Sequence, residues 1–595
     1  MSSKILKHFD TSHPKRNLLL IFIPHAMFLS LYVFSSILLA LTTILSARVR
    51  TLFLDAVLGE HASVQTILIF LLLNLGIVFL IRYGLPLLQN ILEKIILKRI
   101  TLNLKTMVNR KKCAIPWFYF EDSTFNDKLE LLDNIPDQIW TFFKGMIGIV
   151  SAVTSTVGIF FLMRQLGNFF VVVLFILFLP VIYFSIRAAS AYYDTWQRTA
   201  PLRRFCNYQR DIMMDKEFVT ERILFGYTPF FMKRWEKDYQ QVRSLSIQEE
   251  LRGSKKMQIS GTLFCLYVAI MIWIMADRLE NGLITAGFAA SIISIFPSLL
   301  NSLIVDLSNQ LNQMNRASHA IKTFFDFDAL EEEADAFELP KQDMTFSEII
   351  FKNVSFQYPK TSKWVLKNVD LKFEKGKQYA IVGENGAGKS TLIKLLLRLY
   401  QVSEGEILID GTNINEIPHA ELMGLISSLF QDHQHYYTNV SENIGIGDMN
   451  QLNNISRIQE SAAKASFHER IETMPQGYNT ILGTMHNGGI ELSGGEWQKL
   501  AISRLIMSPC PLKILDEPTA AMDPVFEHAL YQDFHKIMEG KTTISISHRL
   551  ASCRDADQIY VLAHGGVLEQ GTHEELMAGK QLYYQMYTTQ KEMYL

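Results

Sequence analysis

The sequence predicts a membrane all-α six-helix domain followed by an α/β domain, and three observations carry that reading. Six stretches of the first 305 residues contain no Lys, Arg, Asp or Glu: 17–47, 62–81, 145–163, 165–186, 257–276 and 281–305. The longest after residue 345, 473–490, is shorter and holds Pro475 and four glycines. An acidic stretch ending in proline, Leu330–Pro340, has the composition of a linker. Beyond it, strand-like and helix-like segments alternate with turns. The expected limits are 1–328 for the membrane domain, 329–345 for the linker and 346–595 for the α/β domain.

The membrane reading rests on length. Residues 1–16 are polar and basic, with Lys4, Lys7, Lys15 and Arg16, and the first charge-free gap then runs for 31 residues. A secretory signal also begins with basic residues, but its apolar core is only about 7–15 residues long. An uncleaved first span is therefore expected. The other gaps are 19–25 residues long, and a helix needs about 20 to cross the hydrocarbon core. Buried helices of a soluble protein average about 11–12 residues and keep one polar face. The run Phe169–Leu179 has no polar face.

Loop charge sets the orientation. Residues 82–144 carry Arg82, Lys94, Lys98, Arg99, Lys105, Arg110, Lys111, Lys112 and Lys128. Residues 187–256 carry Arg187, Arg198, Arg203, Arg204 and Arg210, among others. Positive loops stay in the cytoplasm, so both termini and both long loops are expected there, in a multi-pass protein of the cell (cytoplasmic) membrane. Arg48 and Arg50 run against this rule, and Asp55 and Glu60 offset them only in part. The long loops read as helical extensions of the spans, with tips near Asp122–Leu132 and Glu221–Trp235 able to touch a cytoplasmic domain. The alternative on charge pattern alone is a solvated charged helix. Arg82 reads as a snorkelling interfacial arginine. His25 and Asn74, inside spans, are weak candidates for a translocation path and equally for interhelical hydrogen bonds.

Composition narrows the partners. A net charge of −2 gives no bulk electrostatic case for nucleic acid. Five scattered cysteines, odd in number and without ligand spacing, argue against a disulfide framework or a zinc site.

The second half is organised around Gly383-Glu384-Asn385-Gly386-Ala387-Gly388-Lys389-Ser390-Thr391. An apolar run, Tyr379–Val382, precedes it and a helical run, Leu392–Leu397, follows. Strand, glycine-rich turn and helix make the context of a phosphate-binding P-loop, so the domain reads as an α/β P-loop NTPase cassette. Lys389 can reach the β- and γ-phosphates of ATP, and the Ser390 hydroxyl can hold Mg²⁺. Pro511–Asp516 is a second strand, whose terminal Asp516 would hold the metal; Glu517 is placed to act as general base on the attacking water. His548 ends another strand, Ile544–Ser547, where it can contact a γ-phosphate or the water. Tyr358, brought near the P-loop, can stack on adenine. Ser403–Gly411 has the composition of a hairpin. Ser493-Gly494-Gly495 opens a further helix and forms a second anion-binding start. One nucleotide has no use for two such loops from one chain. The economical account is that ATP joins two copies.

Together these motifs resemble the ATP-binding cassette (ABC) transporter family over essentially the whole chain. Residues 383–391 are similar to the Walker A stretch, Leu492–Glu496 to the signature, and Leu515-Asp516-Glu517 to Walker B with its catalytic glutamate. Gln431 looks like the Q-loop residue, which would join Ser390 and Asp516 around Mg²⁺. Asp523 looks like the D-loop residue, His548 the switch histidine and Tyr358 the A-loop aromatic. Six spans ahead of one cassette resemble a type IV exporter half-transporter, whose loop tips become coupling helices. The resemblance implies a homodimer in membrane lipid, with two ATP molecules each held between one P-loop and the other copy's Ser493, Gly494, Gly495 and Glu496.

Three departures stand out. Glu496 replaces the usual Gln, Lys513 interrupts the apolar Walker B strand, and Gly483–Gly489 replaces an acidic exporter motif. Within the exporters, Ser428–His433 and Ala520–Pro524 look most like bacterial lanthipeptide (lantibiotic) exporters. That implies a hydrophobic or amphipathic cargo, a modified peptide, and peptide-modifying enzymes as partners. No cysteine-protease domain precedes the first span, so leader cleavage is not expected of this chain. A lipid or multidrug exporter, or a membrane-anchored regulatory ATPase, remains the alternative.

Overall fold

The computed structural model describes residues 23–58, 63–121, 125, 128–129, 132–300, 306–333, 336–359, 361–485, 488–516, 540–547 and 550–593. The chain divides into two compact units, Met1–Lys112 with Ser123–Leu330 and Cys113–Asp122 with Glu331–Leu595. The ten residues Cys113–Asp122, expected as part of the membrane domain, are thus grouped with the second unit.

The first unit is helical. Its elements are α1 (Ala26–Leu58), α2 (Val64–Phe79), α3 (Leu85–Ala114), α4 (Ile135–Leu162), α5 (Asn168–Met214), α6 (Val219–Phe225), α7 (Thr228–Glu280), α8 (Ala286–Leu300) and α9 (Leu307–Asp328). A wider helical turn, Leu80–Gly84, joins α2 to α3 and carries Arg82. Among the described residues, Ala26–Leu58, Val64–Ala114, Ile135–Leu166 and Gly261–Glu280 are long and apolar enough to cross a membrane. The charge-free gaps 165–186 and 281–305 fall largely on α5 and α8.

Helix length explains the long loops. The 53 residues of α7 rise about 80 Å at 1.5 Å per residue, against a hydrocarbon core of about 30 Å. The excess must project into water, as the charged half of its sequence requires. Between α6 and α7 the chain turns at Gly226, whose φ of 59° suits glycine. That tip leaves Ile223, Leu224, Phe225 and Phe230 exposed. The first tip, Asp122–Leu132, lies mostly outside the described residues.

Leu72, Phe79, Phe161, Phe169 and Trp273 are likewise exposed along the spans. Such a surface suits lipid rather than water. Inside the unit, Ala47, Ile159, Met163, Phe264, Met271, Phe288 and Ile292 form a core. Asp55 of α1 acts as a cap for α8 from outside that helix. Its carboxylate accepts from Gly287 N at 3.0 Å and from Thr285 Oγ1 at 2.9 Å; with Thr285 Oγ1 accepting from Phe288 N at 3.2 Å, it satisfies donors of the helix start. Arg50, which runs against the charge rule, donates to Ser294 Oγ of α8.

The second unit contains two sheets among its described residues. One is antiparallel, in the order β2 (Trp364–Glu374), β1 (Glu348–Gln357), β4 (Glu404–Ile409), β5 (Thr412–Asn413). The β4–β5 hairpin turns at Asp410 and Gly411, with φ of 48° and 80°, the Asp-Gly preference of a tight hairpin. The other sheet has the order β10 (Gly566–Gly571), β9 (Gln558–Ala563), β3 (Gln378–Gly383), β8 (Thr542–Ile546), β7 (Leu512–Asp516), β6 (Ile426–Leu429). All its pairs are parallel except β9–β10. The helices are α10 (Lys389–Leu396), α11 (His419–Leu425), α12 (Val440–Gly445), α13 (Ile455–Lys464), α14 (His468–Glu472), α15 (Gly494–Met507), α16 (His573–Gly579) and α17 (Leu582–Met593). Phe351, Phe373, Leu392, Ile407, Ile514 and Ile544 belong to one core that both sheets share.

The α1–α8 contact generates a test. A side chain on Gly287 would land on Asp55, whereas nothing lies within 4 Å of a Cβ on Gly76. Gly287→Val is therefore expected to destabilise the solubilised chain by roughly 1–3 kcal/mol, and Gly76→Val is not. Thermal unfolding midpoints of the two variants decide it.

Candidate nucleotide site

Parallel pairing brings the motif residues to one edge. Ile381 of β3 is level with Ile546 of β8, and Ile546 with Asp516 of β7. Leu429, at the end of β6, is level with Leu515. Gly383, Asp516 and the segment that begins at Phe430 therefore leave the sheet at its C-terminal edge, where ligands of open α/β sheets bind.

The turn after β3 is shaped by its glycines. Gly383, Gly386 and Gly388 have φ of 151°, 81° and 102°, which disfavour any residue with a Cβ. A Cβ on Gly388 would also lie 2.6 Å from Leu366 Cδ2. Lys389 is buried, and its Nζ donates to Gly383 O at 2.8 Å and Glu384 O at 3.0 Å. The ammonium is thus held over the loop, while Ser390 is exposed beside it. This cradle of backbone and ammonium suits a polyphosphate.

Tyr358 lies just beyond β1, and its hydroxyl sits 3.0 Å from Thr391 Oγ1 of α10. Its ring packs edge-on against Tyr400 at 5.3 Å and Phe356 at 5.1 Å. Lys394 Nζ stands over the rings of Tyr358 and Tyr400, at 5.6 and 5.8 Å, and pairs with Glu121 at 3.5 Å. A cleft of about 320 Å³ opens there, lined by Phe118, Tyr358, Pro359, Thr361 and Tyr400 among others. A larger cleft, about 540 Å³, lies between β6, residues 432–436 and α15 and contains no P-loop residue.

Ser493 is exposed and is the N-cap of α15. It forms a capping box with Glu496: the Glu496 carboxylate accepts from Ser493 N at 2.8 Å and Oγ at 2.9 Å. Arg470 of α14 pairs with the other carboxylate oxygen. Burial pushes the Glu496 carboxyl up, but the hydrogen bonds from Arg470 and Ser493, with the Arg470 charge, outweigh it and hold it low. The unusual charge at this position is therefore compensated within the chain, and the box fixes the helix start. Residue 497 adds a second anchor. His435, beyond β6, stacks on Trp497 with centroids 4.2 Å apart, and Arg504 lies over Tyr436 at 4.6 Å.

Lys513 turns inward from β7. It is buried, and its Nζ donates to Leu505 O at 2.9 Å and Ser508 O at 2.7 Å. Burial pushes it down to about 7; Lys541 and Arg457 act the same way and Cys510 opposes them. In place of the acidic exporter motif, Gly483 bonds to Ile490 O at 2.8 Å and leaves Met485 exposed.

The structure thus brings together Tyr358, Gly383–Thr391 and Asp516 around one sheet edge, with Gln431 exposed just beyond β6. Ser493–Glu496 open a separate helix start. Glu517, Asp523 and His548 lie outside the described residues. Sequence reading passed over Arg470, Lys394 and Tyr400. The available signal for Arg470 was the odd charge of Glu496, which asks for a cation somewhere.

Comparison with known proteins defines the class. Residues 366–520 match the ABC transporter family model. The subtilin transport ATP-binding protein SpaT of Bacillus subtilis is 29% identical over 82% of this chain and 79% of its own. The ATP-dependent lipid A-core flippase of Escherichia coli K12 is 28% identical over 80% of this chain and 81% of its own. The solved structure of a bacterial Atm1-family ABC exporter with ATP bound superposes with a TM-score of 0.82 at 22% identity, covering 95% of this chain and 99% of that one. Residues 366–520 thus carry an ABC transporter domain, and over most of its length the chain is similar to transporters of that family in which apolar helices and cassette share one polypeptide. It binds ATP, and its hydrolysis is coupled to transport.

Lys513 gives a pH test. The unfolded chain holds that proton up to 10.5 and the folded chain only to about 7. Between those values the unfolded state binds more protons, so stability rises with pH. The penalty for burying the cation is full below pH 7 and is relieved towards 10.5. Lys513→Met is expected to flatten this rise, measured as thermal midpoints from pH 7 to 10.

Proposed function

We propose that two copies of this chain form an ATP-driven exporter of an amphipathic modified peptide, of the lanthipeptide class, across the cytoplasmic membrane. The observation that carries the substrate is the likeness to the subtilin transport protein along 82% of the chain. The exposed, Phe-rich spans are compatible with such a cargo. The flippase relative supports a second reading, lipid export, at nearly equal identity. Both termini would lie in the cytoplasm, and residues 346–595 would form the cassette.

Each ATP would rest on the P-loop of one copy, with Lys389 at its β- and γ-phosphates and Tyr358 against adenine. The other copy's Ser493, Gly494, Gly495 and Glu496 would close over the γ-phosphate, with Asp523 at the contact. Ser390, Asp516 and Gln431 would hold Mg²⁺; a hydroxyl, a carboxylate and an amide oxygen are the hard oxygen donors this ion takes. When bound, Mg²⁺ neutralises developing phosphate charge. Glu517 would take the proton of the attacking water and His548 would contact the γ-phosphate. Loss of that phosphate releases the dimer and resets the membrane path.

Two experiments test this. Glu517→Gln is expected to trap an ATP-bound dimer and abolish turnover; full ATPase activity in that variant would sink the assignment. Reconstituted vesicles offered a lanthipeptide or a fluorescent lipid should show ATP-dependent movement of the peptide. Movement of the lipid alone favours the second reading.

A further inference from the structure

Lys513 is the least expected side chain of β7. The strand lies between β6 and β8, paired there with Ser427 and Thr543, and its neighbours Leu512, Ile514 and Leu515 are buried and apolar. An ammonium in that position is expensive unless it is well satisfied. Its two acceptors, Leu505 O and Ser508 O, belong to the end of α15. The last carbonyls of a helix have no donors of their own, and they carry its negative pole.

Capping alone does not explain the residue. Arg457 of α13 already donates to Met507 O at 3.0 Å, and Asp448 holds it at 2.8 Å. Lys541, before β8, reaches Pro509 O at 3.3 Å. Either could serve the helix end from outside. What Lys513 adds is a link between that end and the strand that finishes three residues later at Asp516. Ala501, Ile502 and Leu505 of α15 also pack with Leu515 of the same strand. The other end of α15 is Ser493. With 14 residues, the helix is a stiff rod of about 21 Å.

We propose that Lys513 is a positioning residue that fastens the signature helix to the Asp516 strand, so that a γ-phosphate gripped at Ser493 for the partner copy also sets Asp516 in this copy's own site. The inference rests on the composite-site reading above. With the tie in place, α15 and β7 move as one body. Without it, the helix end is joined to the strand by the turn Ser508–Pro511 and by apolar contacts that tolerate sliding. Misplacement of about 1 Å at a reacting centre can lower turnover about a hundredfold.

The test uses the full chain in lipid nanodiscs. Lys513→Met is expected to lower kcat by about tenfold to a hundredfold, with KM for ATP changed less than about twofold. Lys513→Gln, which keeps a donor, should recover part of that loss. In the Glu517→Gln background, Lys513→Met should still yield the ATP-trapped dimer, since grip and fold survive. A kcat within about twofold of the parent, equal loss in the Gln and Met variants, or loss of the trapped dimer on adding Lys513→Met would each overturn the inference. If Glu517→Gln alone fails to trap a dimer, the composite-site reading falls, and this inference with it.

Discussion

Everything at the nucleotide site depends on the parallel pairing of β3, β8 and β7. Parallel strands release their C-terminal ends on one side, so the residues that follow Val382 and Leu515 meet there, although they are far apart in sequence. The P-loop gains its shape from positive φ at Gly386 and Gly388. Lys389 Nζ is held against the carbonyls at 383 and 384. A slip of one residue in the β7–β8 register would turn Asp516 to the opposite face.

Two departures from the family pattern, Glu496 and Lys513, are absorbed locally. The Glu496 carboxylate caps its own helix through Ser493 and is neutralised by Arg470. The pair is part-exposed, so its net contribution is modest, about 1 kcal/mol or less. Lys513 is a stronger commitment, since it is buried and its hydrogen bonds run to backbone carbonyls. A buried cation held in this way restricts the sites it joins more than it stabilises them. The stack of His435 on Trp497 and the approach of Arg504 to Tyr436 add two further ties between the segment after β6 and α15. Helix α15 is therefore held at its start, along one side and at its end.

Much of the fold was legible in advance because it is written in local pattern. Charge-free length marks the membrane helices, since lipid excludes charge regardless of what lies nearby. The composition of Ser403–Gly411 marks a hairpin, and the strand–glycine–helix order marks the P-loop. The assignment of Cys113–Asp122 to the second unit was not legible. That stretch, with its aromatic run Trp117–Tyr119, has no periodicity to say which surface it would cover.

The sequence by itself determined the two-part architecture, the apolar helices and the order of the phosphate-binding elements. Those are properties of spacing and composition along the chain, and they hold whatever the chain packs against. Only the tertiary structure decided who answers the unusual charges. Arg470 meets Glu496 across 26 positions, Lys513 turns inward to the end of α15, and Tyr358 finds Thr391 across 33. A buried charge or hydroxyl is tolerated according to its partners, and those partners are set by packing between distant segments, which no local pattern records.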